Sequence, residues 1–147
     1  MDIQTEMRQG WIKTLAKSNL KQLETKVAEI GKLPAYNFIR PPEIGLTMVR
    51  GRAGGTGQIF NLGEITITRC AVKIEDVMGF GYVAGRSHRH AELAALCDGL
   101  MQLPEWHDVV KSVVLEFIEA EVNHQKEIQQ LQTEATKVNF FTIARGD

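Results

Sequence analysis

Gly63-Glu-Ile-Thr-Ile-Thr-Arg-Cys-Ala-Val-Lys-Ile-Glu75 and, a few residues on, Gly79-Phe-Gly-Tyr-Val-Ala-Gly-Arg86 decide the fold class. Both runs alternate as strands do, and no helix-length crossover separates them, so they are neighbours in an antiparallel sheet. In the first run the apolar phase changes. Ile65 and Ile67 share one face, whereas Cys70, Val72 and Ile74 share the other. This predicts either a bulge near Thr68 or Arg69 or a central strand partly covered on both faces. In the second run Gly79, Gly81 and Gly85 fall on one face, which predicts a close approach to the backbone there.

Upstream, Glu43 to Arg52 alternates as well. Ile44, Leu46, Met48, Arg50 and Arg52 lie on one face, because successive strand side chains point to opposite sides. They read as a core-facing row that ends in two arginines. Gly51-Arg-Ala-Gly-Gly-Thr-Gly57 then forms a glycine-rich loop. Before this strand, Tyr36 to Arg40 is a short extended run halted by Pro41-Pro42, an edge or a connection.

Helical periodicity brackets the strands. Trp11, Ile12, Leu15 and Ala16 mark a first helix, and Ser18 is placed to cap a second whose stripe is Leu20, Leu23, Val27, Ala28 and Ile30. Gly31 and Pro34 end it. After the strands, Ser87 opens a helix with Leu93, Leu96, Cys97, Leu100 and Met101 along the stripe expected of a helix packed on a sheet. Glu105 to Val138 reads as one long helix or two. Its second half is sparse in apolar residues, with Ile128, Leu131, Ala135 and Val138 forming a narrow seam that suits a helix extending from the domain or meeting a partner. The class is α+β: an antiparallel sheet with helices packed on one face, a long C-terminal helix and an extended apolar tail. One domain is expected over 1–147, with N-terminal helices in 1–33, sheet plus helix in 36–102, the C-terminal helix in 105–138 and the tail in 139–147.

The chain has 147 residues, of which 44% are hydrophobic and 24% charged, a globular balance. The net charge of -1 gives no case for nucleic-acid binding. No apolar run reaches a membrane span of about 20 residues, and Met1-Asp2-Ile3-Gln4 is unlike a signal peptide, so a cytoplasmic protein is expected. Cys70 and Cys97 sit in apolar surroundings as small core residues. Arg40, Arg50, Arg52, Arg69, Arg86 and Arg89 crowd the middle of the chain, where Glu43, Glu64, Glu75 and Asp76 are too few to pair them all.

Arginine offers a planar fork to phosphate, and glycine frees backbone N–H groups to wrap an anion. Arg50, Arg52, Gly54, Gly55, Thr56 and Arg69 are therefore the anion-binding candidates. The loop is neither a P-loop nor a dinucleotide fingerprint, since no helix opens on it. The bland alternative is a hairpin connection. Arg86 to Glu92 sits where a strand meets a helix N-terminus, and His90 there could titrate, cap or pack in the core. Glu64 could handle a proton or pair with Arg50 or Arg52. His88, His90 and Glu92 lack metal-ligand spacing, so no metal is expected.

Several of these stretches together resemble the PhnG family, the small G subunit of the bacterial carbon–phosphorus lyase core complex. They are Arg8 to Ala16, Arg40 to Gly57, Phe60 to Arg69, Gly81 to Arg86, His90 to Leu100 and Val138 to Gly146. The resemblance implies work with the H, I, J and L components of that system in phosphonate catabolism. There a phosphonate displaces adenine from C1′ of MgATP, giving a ribose 1-phosphonate 5-triphosphate. It implies no cofactor bound by this chain, with MgATP as substrate of the complex. It assigns no catalytic residue to the subunit; the chain's plausible proton handlers are Glu64 and His90. The apolar tail, with Phe140, Phe141, Ile143 and Arg145, is expected to meet a partner.

Overall fold

The computed structural model describes residues 3–52, 57 and 59–145, with the side chains of 3, 52, 60, 61 and 135–145 outside the description. Helices α1 (Ile3–Lys17) and α2 (Leu20–Ile30) precede strands β1 (Asn37–Arg52), β2 (Ile59–Ile74) and β3 (Val77–Ala84). Helices α3 (His88–Met101) and α4 (Pro104–Val110) follow. A π-helical turn (Lys111–Leu115) then leads into α5 (Glu116–Arg145). The sheet is antiparallel in the order β1-β2-β3. This is the expected α+β class, and no described helix is long and apolar enough to cross a membrane.

The layers follow from burial. Thr68, Cys70, Val72 and Ile74 of β2, with Gly79, Gly81 and Val83 of β3, are buried on one side of the sheet, while Arg69, Lys73, Met78 and Tyr82 are exposed on the other. Helix α3 lies on the buried side. A Cβ at Gly79 would sit 2.1 Å from the Ala95 carbonyl oxygen, and one at Gly81 2.3 Å from that of Ala91. The close approach expected at Gly79 and Gly81 is the backbone of α3. At Gly85, just past β3, nothing lies within 4 Å of an added Cβ, and its positive φ of 90° is what favours glycine. That helix is buried over nearly its whole length, because α1, α2 and α4 cover its outer side. The stripe read from its sequence is thus only the sheet-facing part of a central helix. Leu15, Leu23, Val27, Val110, Val114 and Ile118 complete the core from the outer helices. Cys70 and Cys97 are free and buried in it, as expected, and desolvation pushes their thiols up to about 11 and about 12.

Four local expectations are corrected. Asn19, not Ser18, caps α2, its side chain accepting the Gln22 N–H at 3.1 Å. Ser18 turns inward instead, its hydroxyl donating to the Leu15 carbonyl at 2.6 Å. Strand β1 does not stop at Pro41-Pro42 but runs through them, with register shifts between Phe38 and Arg40 and between Arg40 and Glu43. Those prolines lie on an edge strand, where missing ladder donors are tolerated. No bulge occurs at Thr68 or Arg69, and the alternative expectation of a central strand holds instead; the further register shift between β1 and β2 falls between Val49 and Arg50. The alternation of β2 keeps one phase, with Ile65 and Ile67 facing away from the helices. Finally, α5 continues to Arg145, so the backbone of 139–145 extends the helix rather than forming a separate extended tail.

Candidate functional site: the β1–β2 hairpin arm

Strand β3 pairs with β2 only from Ile67 to Ile74. Ile44 sits beside Thr68 at the end of the three-stranded part, and beyond it β1 and β2 continue as a two-stranded arm, with Leu46 beside Thr66, Met48 beside Glu64 and Arg50 beside Asn61. The row Ile44-Leu46-Met48-Arg50 does lie on the helix side of the sheet, by register with buried Thr68. It is not core, however. Leu46 is 68% exposed, with Ile44 and Met48 each above 40%. The reason is reach. The turn from β3 into α3 closes where the Gly85 N–H meets the Thr66 carbonyl at 2.8 Å, so the helical layer begins only there. Ile59, Leu62 and Ile65 are exposed on β2 as well, leaving an unusual run of apolar side chains in water.

The candidate anion residues separate in space. Arg69 is engaged, its Nε donating to Glu43 Oε1 at 2.8 Å, and Arg40 reaches the same oxygen at 3.6 Å. Arg50 is exposed on the arm and has no ion pair among the described residues. Arg52 follows at the end of β1. Gly54, Gly55 and Thr56 lie outside the described residues. Glu64 is exposed beside Met48, without an ion pair among the described residues.

His90 is elsewhere. Its N–H donates to Ser87 Oγ at 3.3 Å in the N-cap of α3, and its ring is buried against the α1–α2 corner. Nε2 lies 3.2 Å from the Leu15 carbonyl and 2.9 Å from Ser18 Oγ. A carbonyl only accepts, so Nε2 carries the proton in this contact. Glu64 and His90 are thus not brought into one constellation. Desolvation lowers the His90 pKa from its ordinary value, against a smaller opposing effect of the Leu15 hydrogen bond. The unfolded chain then binds the extra proton more readily, so His90 contributes stability that is present above about pH 6.5 and lost as pH falls toward its depressed folded value. His90→Gln is expected to flatten that part of the stability–pH curve, measured by urea unfolding between pH 7 and 5. An unchanged slope would contradict the assignment.

One cluster escaped the sequence reading. Asp98 is fully buried in α3, and four donors meet its carboxylate. Arg8 Nε and Trp11 Nε1 donate to Oδ1 at 3.2 and 2.7 Å. Arg8 Nη2 and the Phe80 N–H donate to Oδ2 at 3.0 and 2.9 Å. The Asp98 hydrogen bond and charge raise the Arg8 pKa against its desolvation. The cluster ties α1, β3 and α3 into one body. The available signal was a lone carboxylate amid Leu96, Cys97 and Leu100, with Arg8 and Trp11 one helical turn apart. Thr68 plays a similar role at the arm's base: its hydroxyl donates to the Gly85 carbonyl at 2.7 Å and accepts the Ser87 N–H at 3.1 Å. Tyr36 donates to Glu92, and burial, first, with that hydrogen bond pushes the phenol up to about 12.

These structural ties join stretches quoted above for their resemblance: Arg8 to Ala16 with His90 to Leu100, and Phe60 to Arg69 with Gly81 to Arg86. Similarity to known proteins runs over the same length. The family described as phosphonate metabolism protein PhnG matches residues 6–146. A relative from Rhizobium meliloti (strain 1021), named alpha-D-ribose 1-methylphosphonate 5-triphosphate synthase subunit PhnG, is 34% identical over 147 residues, covering 99% of this chain and 94% of the relative. A match that holds the central cluster, the arm and the long helix in one alignment leaves no part of the fold unaccounted for, and the chain belongs to the PhnG family.

Proposed function

We propose that this chain is a subunit of a ribose 1-phosphonate 5-triphosphate synthase, acting with the H, I, J and L components of a carbon–phosphorus lyase system in the cytoplasm. In this reading the complex transfers the ribose 5-triphosphate moiety of MgATP to a phosphonate and releases adenine. The end-to-end match to a subunit so named carries the proposal. Both substrates are polyanions, and Arg50 is an exposed guanidinium with no ion pair among the described residues. We place Arg50, Arg52 and the loop at Gly54, Gly55 and Thr56 on the triphosphate, with Arg69 set back behind its Glu43 pair. Holding the phosphates would position C1′ while positive charge develops on the ribose.

Glu64 and His90 are far apart in the fold, and in this reading the chemistry belongs to the assembled complex. The purified chain alone, given MgATP and methylphosphonate, is expected to release no adenine. In the assembled complex, Arg50→Gln with Arg52→Gln is expected to weaken triphosphate binding by roughly ten- to a hundredfold, as charge-assisted hydrogen bonds are lost. The thermal midpoint of the chain should stay nearly unchanged, because Arg50 is exposed. Adenine release by the chain alone, or full triphosphate affinity in the double variant, would overturn the reading. A second reading, that the chain serves assembly alone, is favoured by the exposed apolar arm. It too needs partners, and the far end of α5, where Leu131 is 66% exposed, leads into the proposed contact at Phe140, Phe141, Ile143 and Arg145.

A further inference from the structure

We infer that the β1–β2 arm docks by strand addition. In this inference the outer edge of β1, from Ile44 to Arg52, receives an extended segment of the partner subunit that holds the anionic substrate. The inference rests on the proposed function for the identity of that substrate. The strand order leaves β1 at the sheet edge. Its first part is blunted by Pro41-Pro42 and two register shifts, which remove donors and break the ladder. From Ile44 onward no proline or shift interrupts β1 until Val49, and the side chains on the helix side are Ile44, Leu46 and Met48. Natural edges are usually protected by charge, proline or a covering element; this one carries apolar side chains instead. The segment is about 30 Å long at the rise of a strand, enough for a main-chain ladder with alternate side-chain pockets.

Charge selects the occupant. In an antiparallel two-fold pairing of β1 with a second copy, facing residues share a sheet face, so Arg50 would oppose another residue of the helix-side face. From Phe38 to Arg50 that face holds Phe38, Ile44, Leu46, Met48 and Arg50, none of them anionic. The only carboxylate of β1, Glu43, lies on the other face and is already shared by Arg40 and Arg69. A partner whose anion-holding pocket borders its docking strand meets both demands: apolar residues along the stem and negative charge at Arg50.

The test compares backbone amide exchange of the full chain alone and in the purified complex without nucleotide, with a parallel assembly assay of Leu46→Lys. Expected are alternate amides from 44 to 52 exchanging at least about tenfold slower in the complex. Leu46→Lys should weaken assembly at least about tenfold, since a buried leucine is worth more than one decade of affinity. It should leave the unfolding of the chain alone nearly unchanged, because Leu46 is 68% exposed there. Equal exchange of 44–52 in both states overturns strand addition, as does full assembly of Leu46→Lys. The same protection appearing in the chain alone as its concentration rises would assign the edge to a second copy and overturn the choice of partner. Arg50→Gln separates the two readings. If it lowers triphosphate binding while 44–52 stay unprotected, the docking inference fails and the proposed function stands. Protection with unchanged triphosphate binding reverses that outcome.

Discussion

Gly79→Ala is expected to yield almost no folded protein. The added Cβ would sit 2.1 Å from the Ala95 carbonyl oxygen and 2.7 Å from the Gly99 nitrogen, both backbone atoms of α3. No rotamer change relieves a clash between two main chains, so α3 must lift off the sheet. Ordinary overpacking costs about 1–3 kcal/mol; displacing the central helix should exceed about 4 kcal/mol, a large part of a domain's usual stability. Gly99→Ala is the internal control. There the new Cβ meets Ile74 Cδ1 at 2.7 Å, the far end of a flexible side chain, and alanine favours the helix by about 1 kcal/mol. It should unfold within about 1 kcal/mol of the parent in urea. Equal effects at the two positions would show that α3 does not rest on Gly79.

Asp98→Ala is expected to lower the unfolding free energy by about 3–5 kcal/mol, the range for removing one partner of a buried ion pair. The lower end is favoured because the Arg8 side chain keeps 33% of its exposure and can recover water. Trp11 Nε1 and the Phe80 N–H would lose their acceptor too. Asp98→Asn should recover little, since an amide nitrogen cannot accept from the donors it would face. Urea unfolding of both variants checks this, and a loss under about 1 kcal/mol for Asp98→Ala would contradict the pinning role.

These two results bear on what could be read in advance. Glycine spacing at 79 and 81 announced a close approach, because a missing Cβ is a local property visible in the sequence. Asp98 did not announce its partners, since Arg8 and Trp11 come from the other end of the chain and meet it only through packing. The error at Ile44, Leu46 and Met48 is of the same kind. Alternation assigned them correctly to the helix side, but how far α3 reaches along a strand is set by the turn at Gly85, which periodicity does not encode. Ser18 and Asn19 are both good caps, and the choice was settled by His90, which draws Ser18 inward. Of the candidate site, Arg50 is exposed on the arm without an ion pair among the described residues, whereas Arg69 is held by Glu43, a pairing between residues that sequence alone places 26 positions apart.

In the proposed function the arm brings Arg50 to an anion held in the assembled complex. This is tested most directly by a structure of that complex with a bound triphosphate analogue, reading the distance from the Arg50 guanidinium to the nearest phosphate oxygen. The expected result is hydrogen-bond reach, about 3 Å, with the β1 edge covered by a partner strand. Arg50 buried against protein, with every phosphate oxygen beyond about 6 Å, would contradict it and leave the chain an assembly subunit alone.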